Sequence, residues 1–88
     1  MTATNRAPLT SVEAPEDSGE KFLTIARGTG QELRVRLKTY NGRSYLDCRL
    51  WSRSGAASPF FPTQKGLTIR KHEIADMIKA LDAARGAL

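Results

Sequence analysis

Residues 33–51 read LRVRLKTYNGRSYLDCRLW, and this stretch decides the fold. Leu33, Val35 and Leu37 alternate with Arg34, Arg36, Lys38 and Tyr40, and after Asn41-Gly42 the alternation resumes. Leu46, Cys48 and Leu50 then oppose Tyr45, Asp47, Arg49 and Trp51. A period of two marks strands with one apolar face. Asn-Gly between two such runs is a strong hairpin signal, because both central positions of a type I′ turn need positive φ. A two-residue turn pairs Tyr40 with Arg43 and so sets Leu37 against Leu46, Val35 against Cys48 and Leu33 against Leu50. A slip of one residue would place each of these opposite a polar partner.

Working outward, Phe22, Leu23 and Ile25 predict a short strand ending at Gly28-Thr29-Gly30. Residues 53–66 carry Gly, Ser and Pro and read as a loop, before Leu67 and Ile69 mark a fourth short strand. Beyond Arg70 the period lengthens to about 3.6, and Ile74, Met77, Ile78 and Leu81 form a helical stripe. The expected class is α+β: a four-stranded antiparallel sheet followed by one C-terminal helix, β-β-β-β-α, with the helix as the cover for one sheet face. Residues 1–19, rich in Thr, Ala, Pro, Ser and acidic residues and without an apolar period, read as a disordered tail. Residues 20–88 form the domain.

Composition bounds the chemistry. The chain has 88 residues and a net charge of +5, with one cysteine and one histidine. An internal disulfide needs two cysteines, and a zinc cage needs more ligands than these. No cofactor or metal is expected. There is no paired-carboxylate, P-loop or Ser/His/Asp arrangement, so an enzyme is not expected. The sequence has no long apolar run, no apolar leader and acidic residues near its start. It therefore reads as a cytoplasmic (nucleoid-associated) or nuclear protein with no membrane role. A domain this small has a marginal core, which association enlarges.

The charge is unevenly spread. Residues 33–71 carry nine Arg and Lys side chains against Asp47 alone, whereas residues 1–20 carry Arg6 against Glu13, Glu16, Asp17 and Glu20. A basic block of this kind is an electrostatic footprint for phosphates or an anionic surface. On the hairpin's polar face Arg36 stands opposite Asp47, a favourable pair, and Lys38 opposite Tyr45, within reach of a cation–π contact. Arg34 stands opposite Arg49, a destabilising like-charge pair for which a bound phosphate would supply a reason. Tyr40, Tyr45 and Trp51 among these cations suit unpaired bases. The same side chains also serve as solubility and edge protection, or as good strand formers. Of Phe60 and Phe61, one is expected to plug the open end of the core. Cys48 reads as a small core residue, and His72 as an exposed residue of the first helical turn.

The run from Glu32 to Trp51, then PTQKGLTI and an amphipathic helix, resembles the transcriptional coactivator family of the positive-cofactor-four type. The resemblance covers roughly residues 20–85. It rests on Tyr40-Asn41-Gly42-Arg43 at the turn, Asp47 and Arg49 on the third strand, nearby Trp51, and Lys65-Gly66 before the fourth strand. It implies a homodimer that binds single-stranded DNA with little sequence preference, in transcription or genome maintenance, with the transcription machinery as a further partner. By position it implies Arg36, Lys38, Tyr40, Arg43, Arg49, Trp51 and Lys65 as contacts, to which the hairpin register adds Arg34. Asn41 stands where family members can carry Lys, Trp51 follows Arg49 by two residues rather than three, and Phe61 precedes Pro62 where a basic or polar residue is expected. RNA as the ligand, or an acidic protein partner on the same face, are the alternatives.

Overall fold

The computed structural model describes residues 14–88. Strands β1 (Glu20–Ala26), β2 (Gln31–Tyr40), β3 (Arg43–Ser52) and β4 (Phe61–Arg70) form one sheet in that order, every neighbouring pair antiparallel. A single 3-10 turn (Lys71–Glu73) leads into α1 (Ile74–Ala87). The expected four strands and C-terminal helix are therefore present. The first thirteen residues of the stretch read as a tail lie outside the described residues.

The β2–β3 hairpin has the register that the alternation requires. Leu37 pairs with Leu46, Val35 with Cys48 and Leu33 with Leu50, across a turn whose Asn41 and Gly42 have φ of 52° and 75°. Strand β1 is less regular: Lys21 pairs with Arg36 but Leu23 with Val35, so Phe22 is the extra residue of a bulge. Strict alternation would send Phe22 and Leu23 to opposite faces. The bulge instead lets Phe22 line an apolar groove with Leu37, Leu46, Ile69 and Ile74, while Leu23 stays in register with Val35.

Two expectations are corrected. Residues 61–66 are not loop, because β4 begins at Phe61, with Ser52 opposite Phe61 and Trp51 opposite Pro62. Proline lacks a ladder donor, and β4 accommodates Pro62 because it is an edge strand. The ladder slips between Arg49 and Trp51, so Thr63, Gln64 and Lys65 together span the place opposite Leu50. There the Thr63 hydroxyl donates to the Leu50 carbonyl at 2.8 Å and accepts from the Lys65 amide at 3.1 Å. That irregularity breaks the period of two and disguises the strand.

The helix, secondly, does not cover the sheet. It follows β4 through one turn, pinned by the Arg70 amide donating to the Glu73 carboxylate at 2.8 Å, with no residues spare to double back. No residue of α1 is buried, and only Ile74 at its start joins the sheet's apolar groove. Phe22, Leu23, Ile25 and Leu67 remain exposed on the sheet, and Ile78 and Leu81 on the helix. The molecule is one layer with an arm, 54 × 35 × 18 Å. Its radius of gyration is 16.8 Å, against about 12 Å for a compact domain of this length.

Candidate nucleic-acid interface

The opposite face of the sheet gathers the polar positions of all four strands: Lys21 and Thr24 on β1, Arg34, Arg36 and Lys38 on β2, Tyr45, Asp47 and Arg49 on β3, and Thr68 and Arg70 on β4. It has two ends of different character. At the hairpin end, Tyr40, Arg43, Tyr45, Thr68, Arg70 and His72 line an open groove of about 610 Å³. Tyr40 is 70% exposed, and Arg43 and Arg70 are exposed beside it. An uncovered ring among cations has the chemistry that base stacking requires. Arg70 and His72, the latter expected only as an exposed helical residue, join the site because the end of β4 runs beside β3.

The other end is closed. Trp51 is 4% exposed, and the Arg34 guanidinium lies over its ring at 4.2 Å. Phe60 sits 5.3 Å from the same guanidinium and 4.8 Å from that of Arg53, so cations and rings alternate. Neither Phe60 nor Phe61 is buried in the core as expected: Phe60 packs on arginines of the basic face, and Phe61 is exposed.

The cross-strand partners match in register but not in contact. Arg36 stands opposite Asp47, yet it is 2% exposed and turns towards β1. Its Nε donates to the Asp17 carboxylate at 3.0 Å, its Nη1 to the Leu23 carbonyl at 2.6 Å and the Val35 carbonyl at 3.1 Å, and its Nη2 to the Thr24 hydroxyl at 2.9 Å. Asp47 instead takes Arg49 of its own strand at 3.0 Å, and Arg49 also donates to the Thr63 carbonyl at 2.8 Å. Arg49 reaches that carbonyl by lying across Gly66. A Cβ on Gly66 would stand 2.9 Å from the guanidinium carbon and 2.8 Å from the Cys48 carbonyl oxygen.

The like-charge pair Arg34–Arg49 needs no bound phosphate to explain it. Asp17 and Glu32 hold Arg34 at 2.9 and 2.8 Å, and Asp47 holds Arg49, so each guanidinium has its own acid. Lys38 donates to the Ser18 carbonyl at 2.7 Å rather than stacking on Tyr45, and Lys65 is exposed on the irregular part of β4. Asp17, Arg53 and Phe60 are the members that the strand pattern does not reveal. The signal for Asp17 is the acidic excess of residues 1–20 set against the basic block.

Partial burial alone would raise the Asp17 pKa. The hydrogen bond and charge of Arg36, then the charges of Arg34 and Lys21, outweigh it and hold the carboxyl below its ordinary value of 3.8. A group with a depressed folded pKa contributes fully above its ordinary value, and the contribution is lost as pH falls through the folded one. The Asp17 contacts are therefore expected to persist down to about pH 4 and to release only below it. A carboxyl carbon NMR titration of Asp17 checks this, and a midpoint at or above the ordinary value would contradict it. On the apolar face, burial and then the Asp47 charge push the Cys48 thiol up. Among the described residues no cluster of acids, His and Cys is placed to hold a metal ion, and no helix is long and apolar enough to cross a membrane.

The fold and site together define a single-layer, four-stranded antiparallel sheet domain with one basic face and a helix running on from its last strand. The family described as Transcriptional Coactivator p15 (PC4) matches residues 28–80, and the chain belongs to it. Two crystal structures of a PC4 homolog from Burkholderia pseudomallei are similar to it. The tetragonal form has 31% identity and a TM-score of 0.68, covering 77% of this chain and 98% of that one. The orthorhombic form has 30% identity and a TM-score of 0.69, covering 82% and 96%. Among curated proteins no relative matches the chain.

Proposed function

We propose that the chain is a homodimer that binds single-stranded DNA with little sequence preference, acting in transcription regulation or genome maintenance. The observation that carries the reading is the open groove at the hairpin tip, which the exposed Tyr40 ring lines together with Arg43 and Arg70 on a coactivator-family fold. Unpaired bases offer a face for stacking and duplex bases do not, while the cations follow the backbone. Tyr40 is the stacking ring, with Arg43, Arg49, Lys38 and Lys65 as backbone partners. Arg34, Arg36 and Trp51 form the second, covered end of the track.

The dimer is supported by what one chain leaves uncovered. A single-layer sheet with Phe22, Leu23, Ile25 and Leu67 exposed has half of a core, and the stripe of α1 containing Ile78 and Leu81 has no partner among the described residues. A contiguous exposed apolar surface of this kind marks an interface, and a two-fold pairing would close both at once.

Fluorescence anisotropy with a labelled single-stranded oligonucleotide and its duplex, at two salt concentrations, tests the reading. Single strands should bind more tightly, with a log–log salt slope of about −0.7 per phosphate neutralised. Equal, weak binding of both forms would overturn the stacking mechanism. Tighter binding of RNA of the same sequence would reassign the ligand.

A further inference from the structure

We propose that residues 14–19 form an acidic strap that holds the arginine end of the interface closed, with the Asp17 carboxylate standing where a strand phosphate binds. The proposal rests on the nucleic-acid reading above and adds its regulation: a single strand occupies the Trp51 end of the track only by displacing the strap.

The contacts are specific to the residues that the binding reading needs. Arg34 donates from Nη1 to Asp17 at 2.9 Å, and Arg36 donates from Nε to both oxygens of the same carboxylate at 3.0 Å. Two guanidinium groups converging on one oxyanion is an arrangement that equally suits a phosphate. The neighbouring Ser18 carbonyl takes the Lys38 ammonium at 2.7 Å. Two adjacent residues of one segment thus engage three of the cations assigned to the interface.

The seat of the strap is shaped for it. Gly19 has φ of +97°, and a Cβ there would stand 2.0 Å from the Leu37 carbonyl oxygen, so the chain crosses directly against β2 at a point only glycine can occupy. Ala14 and Pro15 continue the strap along a groove that Trp51 and Phe60 also line. The indole N–H of Trp51, in the same groove, is buried with no acceptor among the described residues. The strap is tethered to β1 at Glu20. It therefore competes at an effective concentration in the millimolar range for a short linker, and its occupancy is set by the Asp17 and Ser18 contacts acting together rather than by any one ion pair.

The test uses full-length chains and a labelled oligothymidylate. Asp17→Asn keeps the shape and removes the charge that holds both arginines. It should raise single-strand affinity about tenfold at low salt, the factor expected when a state closed nine times in ten is opened. Glu16→Gln removes the same charge one residue away, where the side chain is exposed and makes no ion pair among the described residues. It should change affinity by less than about twofold, the small effect of a screened surface charge. Equal gains from the two variants would reduce the effect to net charge and overturn the strap. In the unmodified chain, saturating oligonucleotide should move the Asp17 carboxyl carbon resonance to that of a solvated aspartate. An unmoved resonance alongside tight binding would overturn the strap while leaving the single-strand reading intact. Failure of all three chains to bind would overturn the single-strand reading itself.

Discussion

A chain carrying Ile78→Asp and Leu81→Asp is expected to run as a monomer in size exclusion with multi-angle scattering and to lose its cooperative thermal melt, whereas the parent chain is expected to run as the proposed dimer. Ile78 and Leu81 are 61% and 63% exposed in one chain, although they lie on the apolar stripe of α1. Burying an aliphatic side chain of this size contributes roughly 1.5–3 kcal/mol, so four of them across a two-fold interface contribute roughly 6–12 kcal/mol. A micromolar dimer corresponds to about 8 kcal/mol, so losing this term removes the association. The aspartates add the cost of desolvating four carboxylates in an apolar interface. Folding fails with assembly because Leu50, Trp51 and Ile69 are the buried hydrophobic residues of the described chain, too few for an independent core. A parent that stays monomeric at tens of micromolar, with a melt independent of concentration, would remove the dimer from the proposed function.

The hairpin was legible because two independent local signals agree. The alternation in residues 33–51 and the Asn41-Gly42 turn each specify the same register, and the ladder follows it pair by pair. Elsewhere local signals were cut short. The β1 bulge at Phe22 and the irregular Thr63–Lys65 stretch both break the period of two; the first still reads as a short strand, whereas the first half of the fourth reads as loop. Helix placement is not a local property: the stripe of α1 requires that something be covered without saying whether it is this chain's sheet or another surface. The site divides in the same way. Register places Arg34, Arg36, Lys38, Arg49 and Trp51 on one face, which alternation suffices to show. Which acid each arginine takes depends on long side chains reaching across strands and on a segment with no periodicity of its own. Asp17 is seventeen and nineteen positions from its two arginines, and its role follows from where Gly19 turns the chain.

Tyr40→Ala is expected to weaken single-stranded DNA binding by roughly 5- to 150-fold, the equivalent of one lost base stack of about 1–3 kcal/mol. The ring is the most open aromatic surface at the hairpin tip, so the chain loses little packing when it is removed and the melting temperature should barely move. Tyr40→Phe separates ring from hydroxyl and should stay within about twofold of the parent, because stacking uses the π face. Duplex binding, which draws on the cations alone, should be unchanged in both variants. Trp51→Ala gives the opposite pattern. Its ring is buried under Arg34 and beside Phe60, so truncation should cost about 3–5 kcal/mol of stability before any ligand is added. Affinity lost in that variant reports a collapsed scaffold as much as a missing stack. The contrast assigns roles that alternation alone cannot separate, since it places both aromatics on the same basic face. If Tyr40→Ala leaves single-strand affinity intact while Arg43→Ala and Arg49→Ala abolish it, the face binds by charge alone, and an acidic protein partner becomes the better reading of the same surface.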